Sequence, residues 1–193
     1  MLPGCFLAHR LSLDKGYVAI GGEPSRTVQV WSWDEPVQYT VQNYNKEKDL
    51  KRSYQAVYHI NSGRICQLAD EELSQILLGD EGDAPLALLS TSRPYSLSSM
   101  WEGRTRSDYY TVSLEDGSRK LLASADYGRY RLSPQGKYAY WYAETDSCWY
   151  TLSMADGKKV QLTTPVSFLA WDEENDVPDY PNAHGTAGWT ERD

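Results

Sequence analysis

The feature that most limits what this chain can fold into is a repeated strand–turn–strand pattern centred on glycine. Tyr150-Thr-Leu-Ser-Met-Ala-Asp-Gly157-Lys-Lys-Val-Gln-Leu162 alternates along two arms around Asp156-Gly157. Strict alternation puts one side of each arm against a core, and Asp-Gly between two such arms is a strong local signal for a hairpin. Tyr110-Thr-Val-Ser-Leu-Glu-Asp-Gly117-Ser-Arg-Lys-Leu-Leu122 repeats the pattern almost position for position. Val57-Tyr-His-Ile-Asn-Ser-Gly63-Arg-Ile-Cys-Gln-Leu68 is a looser third copy. A single hairpin cannot bury its apolar face alone, so units like these must stack.

The turn glycines Gly63, Gly117 and Gly157 are 54 and 40 residues apart. Those intervals bracket the roughly 40–50 residues of one β-propeller blade. A second turn type, Leu132-Ser-Pro-Gln-Gly-Lys137, sets Pro134 where φ near −65° is wanted and Gly136 where φ can turn positive. It leads into Tyr138-Ala-Tyr-Trp-Tyr142, with the three tyrosines on one face and Ala139 and Trp141 on the other. Residues 128–164 therefore read as one full four-stranded blade: Tyr130–Leu132, Tyr138–Tyr142, Trp149–Ser153 and Lys159–Leu162. Upstream, Tyr17–Ile20 and Thr27–Trp33 read as strands, Val37–Val41 as a further strand, and Gln42–Arg52 as a charged loop or frayed turn. Asp70–Gly79 has an N-cap residue, acids in its first turn and a closing glycine, which predicts a short helix, with a strand as the alternative. The segment from His184 begins another strand and leaves the last blade unfinished. The expected fold is all-β: an antiparallel propeller-like array of three to four blades, incomplete as a ring.

Composition fits that architecture and removes several functions. The chain has 193 residues, a length for one domain, and carries 15 Tyr and 7 Trp against 2 Phe, residues suited to half-buried pleated surfaces. A net charge of −8 without a basic stripe makes nucleic acid an unfavoured partner. No apolar run approaches the roughly 20 residues of a membrane span. Leu2-Pro3-Gly4-Cys5 resembles a lipoprotein cleavage box, but Met1 alone precedes it in place of basic and apolar regions, so no signal peptide is expected. Cys5, Cys66 and Cys148 lack metal or redox spacing; reduced thiols are expected, with a Cys66–Cys148 bridge left open.

The 132–137 turn resembles the Ser-Pro-Asp-Gly-Lys turn of TolB-like propeller repeats, with Gln135 in place of the acid. A more specific set is Ser92-Arg-Pro-Tyr95, Trp101-Glu-Gly-Arg-Thr-Arg-Ser-Asp-Tyr-Tyr110, Trp171-Asp-Glu-Glu-Asn-Asp-Val-Pro-Asp179 and Gly185-Thr-Ala-Gly-Trp189. Together these resemble the N-terminal propeller of secreted prolyl oligopeptidase-type serine peptidases from Bacteroides-like bacteria. The likeness is best over residues 85–193 and loose over 1–84, within a single domain of 1–193. It implies a periplasmic or secreted location and a hydrolase domain as partner, with the propeller controlling which peptides reach the active site. The family's nucleophile sits at a Gly-x-Ser-x-Gly elbow, and no such elbow occurs among the 14 glycines here. No catalytic residue is therefore assigned, and no cofactor or metal is expected.

Among candidate chemistries, Tyr95, Trp101, Arg104 and Arg106 stand out as a peptide-contacting rim, because guanidinium forks bind carboxylates and aromatic rings supply flat apolar walls. The structural alternative has Trp101 packed between blades and Arg104 paired with an acid such as Asp108. A site assembled around His59 or His184 has no local signature. Asp172, Glu173, Glu174, Asp176 and Asp179 lack the order of a calcium loop and read as a solvated connection. Glu144 and Asp146, two apart at a hairpin tip, read as solvating a loop rather than as a glycosidase pair. The readings carried forward are a peptide-gating propeller segment, a free-standing propeller module binding protein or glycan, and an autonomous hydrolase with a non-standard site. Open blade edges predict self-association.

Overall fold

The computed structural model describes residues 5–9 (backbone only), 34–79, 83–164, 174 and 180–190. Strands β1 (Cys5–His9), β2 (Gln55–His59) and β3 (Arg64–Gln67) form an antiparallel sheet I in that order. Sheet II is the meander β4 (Gln75–Leu78), β5 (Leu86–Thr91), β6 (Ser107–Ser113) and β7 (Arg119–Asp126). Sheet III is the meander β8 (Arg131–Leu132), β9 (Tyr138–Ala143), β10 (Cys148–Ser153) and β11 (Lys159–Gln161). The expected all-β, antiparallel, propeller-like array is what the described residues form, and sheet III is the blade read at 128–164.

The repeated glycines set the hairpins in one common way. Gly63, Gly117 and Gly157 have φ of +66°, +74° and +69°. Their N–H groups donate to His59 O, Ser113 O and Ser153 O at 2.8, 2.9 and 3.0 Å. The loops are thus four residues long, with only the glycine left-handed. The preceding aspartates act through their side chains: Asp116 Oδ1 accepts from Ser118 N at 3.0 Å, and Asp156 Oδ1 from Lys158 N at 3.1 Å. The 132–137 turn closes with Gly136 N donating to Ser133 O at 2.9 Å and Ser133 N to Tyr138 O at 2.8 Å. Buried Ser133 also accepts from Tyr138 N through Oγ at 3.1 Å, which explains why a small hydroxyl precedes the proline.

Two apolar layers hold the sheets together. Val57 and Leu68 from sheet I and its exit pack with Leu89, Val112 and Leu114 of sheet II and its hairpin. Between sheets II and III a run of rings crosses the gap. Tyr109 and Tyr130 lie 4.5 Å apart, Tyr130 and Trp141 4.6 Å, and Trp141 and Tyr150 5.7 Å, with Lys159 Nζ 4.0 Å over the last ring. Offset and tilted pairs of this kind add about 0.5–1.5 kcal/mol each beyond area burial. Gly128 is required by close approach, since a Cβ there would lie 2.9 Å from Trp141 Cδ1. Burial and a hydrogen bond to Asp126 raise the Tyr130 hydroxyl well above its ordinary pKa.

Several local expectations are corrected. Residues 70–79 hold no helix; Asp70 Oδ1 accepts from Glu72 N and Leu73 N at 2.9 Å each, and the chain then extends into β4. The cap chemistry is present, but Ile76 and Leu78 reach the core only from a strand, so packing overrides local preference. Conversely, Gln42–Arg52 is not a loop and Val37–Val41 not a strand: α1 (Tyr39–Leu50) occupies that stretch without a single buried residue, so no apolar periodicity announced it. The segment from His184 forms no strand. Cys66 and Cys148 are buried free thiols in sheets I and III, on either side of sheet II, so they form no bridge. The strands expected at Tyr17–Ile20 and Thr27–Trp33 lie outside the described residues, as does 171–179 apart from exposed Glu174. No helix among the described residues is long and apolar enough to cross a membrane.

Candidate functional site

In sheets II and III alternate connections gather at opposite ends. The tight turns 114–117, 133–137 and 154–157 share one end. The long β5–β6 connection, the β7–β8 crossover and the β9–β10 turn share the other, and all four candidate rim residues lie there. The β5–β6 connection opens with a 3-10 turn, Arg93–Tyr95, containing Pro94, and continues as α2 (Ser96–Glu102). Ser96, Ser98 and Ser99 turn their hydroxyls back to main-chain carbonyls three residues earlier. Gly103 ends the helix at φ +68°, with its N–H on Ser99 O at 3.1 Å. That left-handed exit sends Arg104 and Arg106 back across the crossover.

There the two guanidinium groups converge on one ring. Arg104 Cζ lies 4.2 Å from the Tyr127 centroid and 4.7 Å from that of Tyr180. Arg106 Cζ lies 5.8 Å from Tyr127 and 5.7 Å from Tyr95. All four distances fall in the range of a cation–π contact. Each cation has its own acid: Arg104 pairs with Glu144 and Arg106 with Glu102. Tyr127 donates its hydroxyl to Glu102 Oε2 at 2.9 Å. The Arg106 guanidinium and then the Tyr127 hydroxyl hold the Glu102 carboxyl below its usual range, and Glu102 in turn raises Tyr127.

Tyr95 serves a neighbouring device. Its hydroxyl donates to Asp108 Oδ1 at 2.6 Å, and the same oxygen accepts from Ser124 Oγ at 2.8 Å and Ala125 N at 2.9 Å. Ala125 has φ of 55°, and the β6–β7 register slips at this point, so Asp108 pins a β-bulge. Burial would raise the Asp108 carboxyl, but the three donors outweigh it and hold the carboxyl low.

The structure thus joins Tyr95, Arg104 and Arg106 into one cluster and leaves Trp101 beside it, 84% exposed on α2. The structural alternative holds in one half: Trp101 does not pack between blades, but Arg104 does pair with an acid, Glu144 in place of the example Asp108. Glu144 is therefore more than a solvating loop residue, while Asp146 accepts from Thr145 Oγ1 at 2.6 Å and Tyr150 OH at 2.7 Å. Sequence reasoning missed Glu102, Tyr127 and Tyr180. The available signal was Leu97, Met100 and Trp101 at i, i+3, i+4 before Gly103, which marks a helix. All three are exposed, so this end carries an apolar ledge over an internally neutralised Arg–Tyr shelf. No group of three or more His, Cys, Asp or Glu side chains among the described residues is placed to hold a metal.

No family model matches the chain, and no curated protein matches it. It is similar to solved structures that include the tricorn protease, with 15% identity over 58% of this chain and 11% of that one, at a TM-score of 0.35. A structure from a study of two prolyl endopeptidases is similar at 14% identity over 58% of this chain and 18% of that one, at a TM-score of 0.33. The chain spans less than a fifth of the length of either.

Proposed function

We propose that this chain is a non-catalytic propeller segment that contacts and positions peptides for a hydrolase domain. The observation that carries the reading is the end of sheets II and III where α2, with Leu97, Met100 and Trp101 exposed, adjoins in the chain the Tyr95–Arg104–Arg106 cluster. Because Arg104 and Arg106 are neutralised by Glu144 and Glu102, this surface favours apolar peptide side chains over free carboxylates. The likeness of the 92–110 and 132–137 motifs to propeller repeats of prolyl oligopeptidase-type peptidases supports the same reading. It also carries the proposal of a periplasmic or secreted setting and of a TolB-like, Bacteroides-type lineage.

The test is fluorescence anisotropy of labelled peptides with the purified chain. Binding weakened about tenfold by Trp101→Ala, with no cleavage of prolyl peptides, is the expected result. Binding indifferent to Trp101→Ala would remove this surface from consideration. Cleavage abolished by His59→Ala or His184→Ala would instead establish an autonomous hydrolase.

A further inference from the structure

Sheet III has a second face, turned away from sheet II. Opposed residues in a ladder share a face, so the pairings Tyr140–Thr151–Val160 and Tyr142–Trp149 place these side chains together on it. Residues 180–190 cross this face as a strap with ring contacts near each end. Tyr180 meets Arg104 at one end, and Trp189 meets Tyr138 at 6.2 Å and Tyr140 at 5.3 Å at the other. Beneath the strap lies a cavity of about 380 Å3 walled by Tyr140, Trp149, Leu162 and Trp189. That volume is at the small end of ligand pockets, enough for one ring-bearing group and its immediate attachments.

The lining identifies the class of occupant. Among the described residues, His184 is the only lining residue with a side chain that can become cationic, and no carboxylate, amide or guanidinium side chain lines the space. Sugars and charged metabolites are recognised by such groups, so an uncharged apolar ring is favoured. The remaining wall is formed by Thr163 and by residues 185–188, a stretch with glycine at both ends. Among the described residues, Thr186, Ala187 and Gly188 make no main-chain hydrogen bond. As lining residues they leave main-chain N–H and C=O groups available beside an aromatic slot, a combination suited to a side chain delivered on an extended backbone.

We propose that this cavity binds one aromatic side chain of an extended peptide segment, the ring between Trp149, Tyr140 and Trp189 and its backbone against Thr186–Gly188. The site is separate from the Trp101 surface and goes beyond the reading given for it. Titration calorimetry with acetyl-Gly-Gly-Phe-Gly-Gly-amide, against the counterpart with Ala for Phe, tests it. The Phe peptide should bind about tenfold or more tightly than the Ala peptide, as burial of a ring predicts. Trp189→Ala should weaken it about tenfold and Leu162→Glu, a change at an exposed rim position, by a similar factor, while Tyr44→Ala, at an exposed position on α1, leaves it unchanged. Leu162→Glu keeps the test decisive if loss of Trp189 disturbs the sheet. Equal binding of the two peptides, indifference to both cavity variants, equal affinity for free indole, or tighter binding of chitotriose would each overturn the proposal.

Discussion

The two ends of sheets II and III are built from the same strands but held by different physics. At the tight-turn end, each reversal is closed within five or six residues by a left-handed glycine, a nearby carbonyl and, in most cases, an aspartate or serine side chain. At the other end, Arg104, Glu144, Tyr127 and Tyr180 meet from four separate segments, and Asp108 fixes a bulge through donors from the β5–β6 connection and from β7. Local closure gives rigid, sequence-encoded geometry. Assembly from distant segments gives a shaped surface that exists only once the sheets are packed, and this is where recognition is proposed.

The comparison assumes that both ends depend on the ring stack between the sheets. Trp141→Ala should therefore have the largest effect, about 3–5 kcal/mol by urea unfolding, because it opens a cavity between Tyr130 and Tyr150. A change under 1 kcal/mol would mean that the sheets are held otherwise. Asp108→Ala should cost about 1–3 kcal/mol by leaving the Ala125 N–H and two hydroxyls without their acceptor. Its distinguishing readout is accelerated amide exchange at Ala125. At the opposite end, Gly117→Ala should cost about 1–2 kcal/mol through its φ of +74°. Arg104→Ala should cost about 1 kcal/mol by loss of one ion pair and its ring contacts. If Arg104→Ala proved costlier than Gly117→Ala, the contrast between a locally closed end and an assembled one would fail.

The smallest effect concerns pH. Hydrogen bonds from the Ser118 main chain and then its hydroxyl hold the Asp116 carboxyl down to about 2, against an ordinary value of 3.8. A depressed folded value means that this carboxylate favours the fold above its ordinary value and that the contribution disappears as pH falls from 3.8 towards 2. Carbon-detected NMR titration should show the low value directly. Ser118→Ala should move it part of the way back up, leaving the main-chain donor at 118 and the Ser113 hydroxyl to hold it low. The Asp156 carboxyl, held low by Ser153 and then the Lys158 N–H, should follow the same direction.

Where local chemistry and packing agreed, the sequence was legible. The 128–164 blade could be read almost strand for strand, because Ser133-Pro-Gln-Gly136 and Asp156-Gly157 fix turns and Tyr138–Tyr142 alternates between them. Where they disagreed, it was not. Asp70 caps a helix that never forms, since Ile76 and Leu78 are needed as strand residues beside β5. Helix α1 forms with no buried face, so it left no periodic trace. Arg104 and Arg106 were recognisable as a cluster; Glu102, four residues from Arg106, was within local reach, but the acid of Arg104 could not be named, because Glu144 lies 40 residues from it.

Residue order alone determined the all-β class, the blade spacing and the glycine turns, since each depends on backbone torsions and side-chain alternation within a few positions. Only the tertiary structure decided that Glu144 neutralises Arg104, that Trp101 stays in solvent, and that residues 180–190 roof an aromatic cavity. Those outcomes depend on distances between segments far apart in the chain, which short-range preference does not encode.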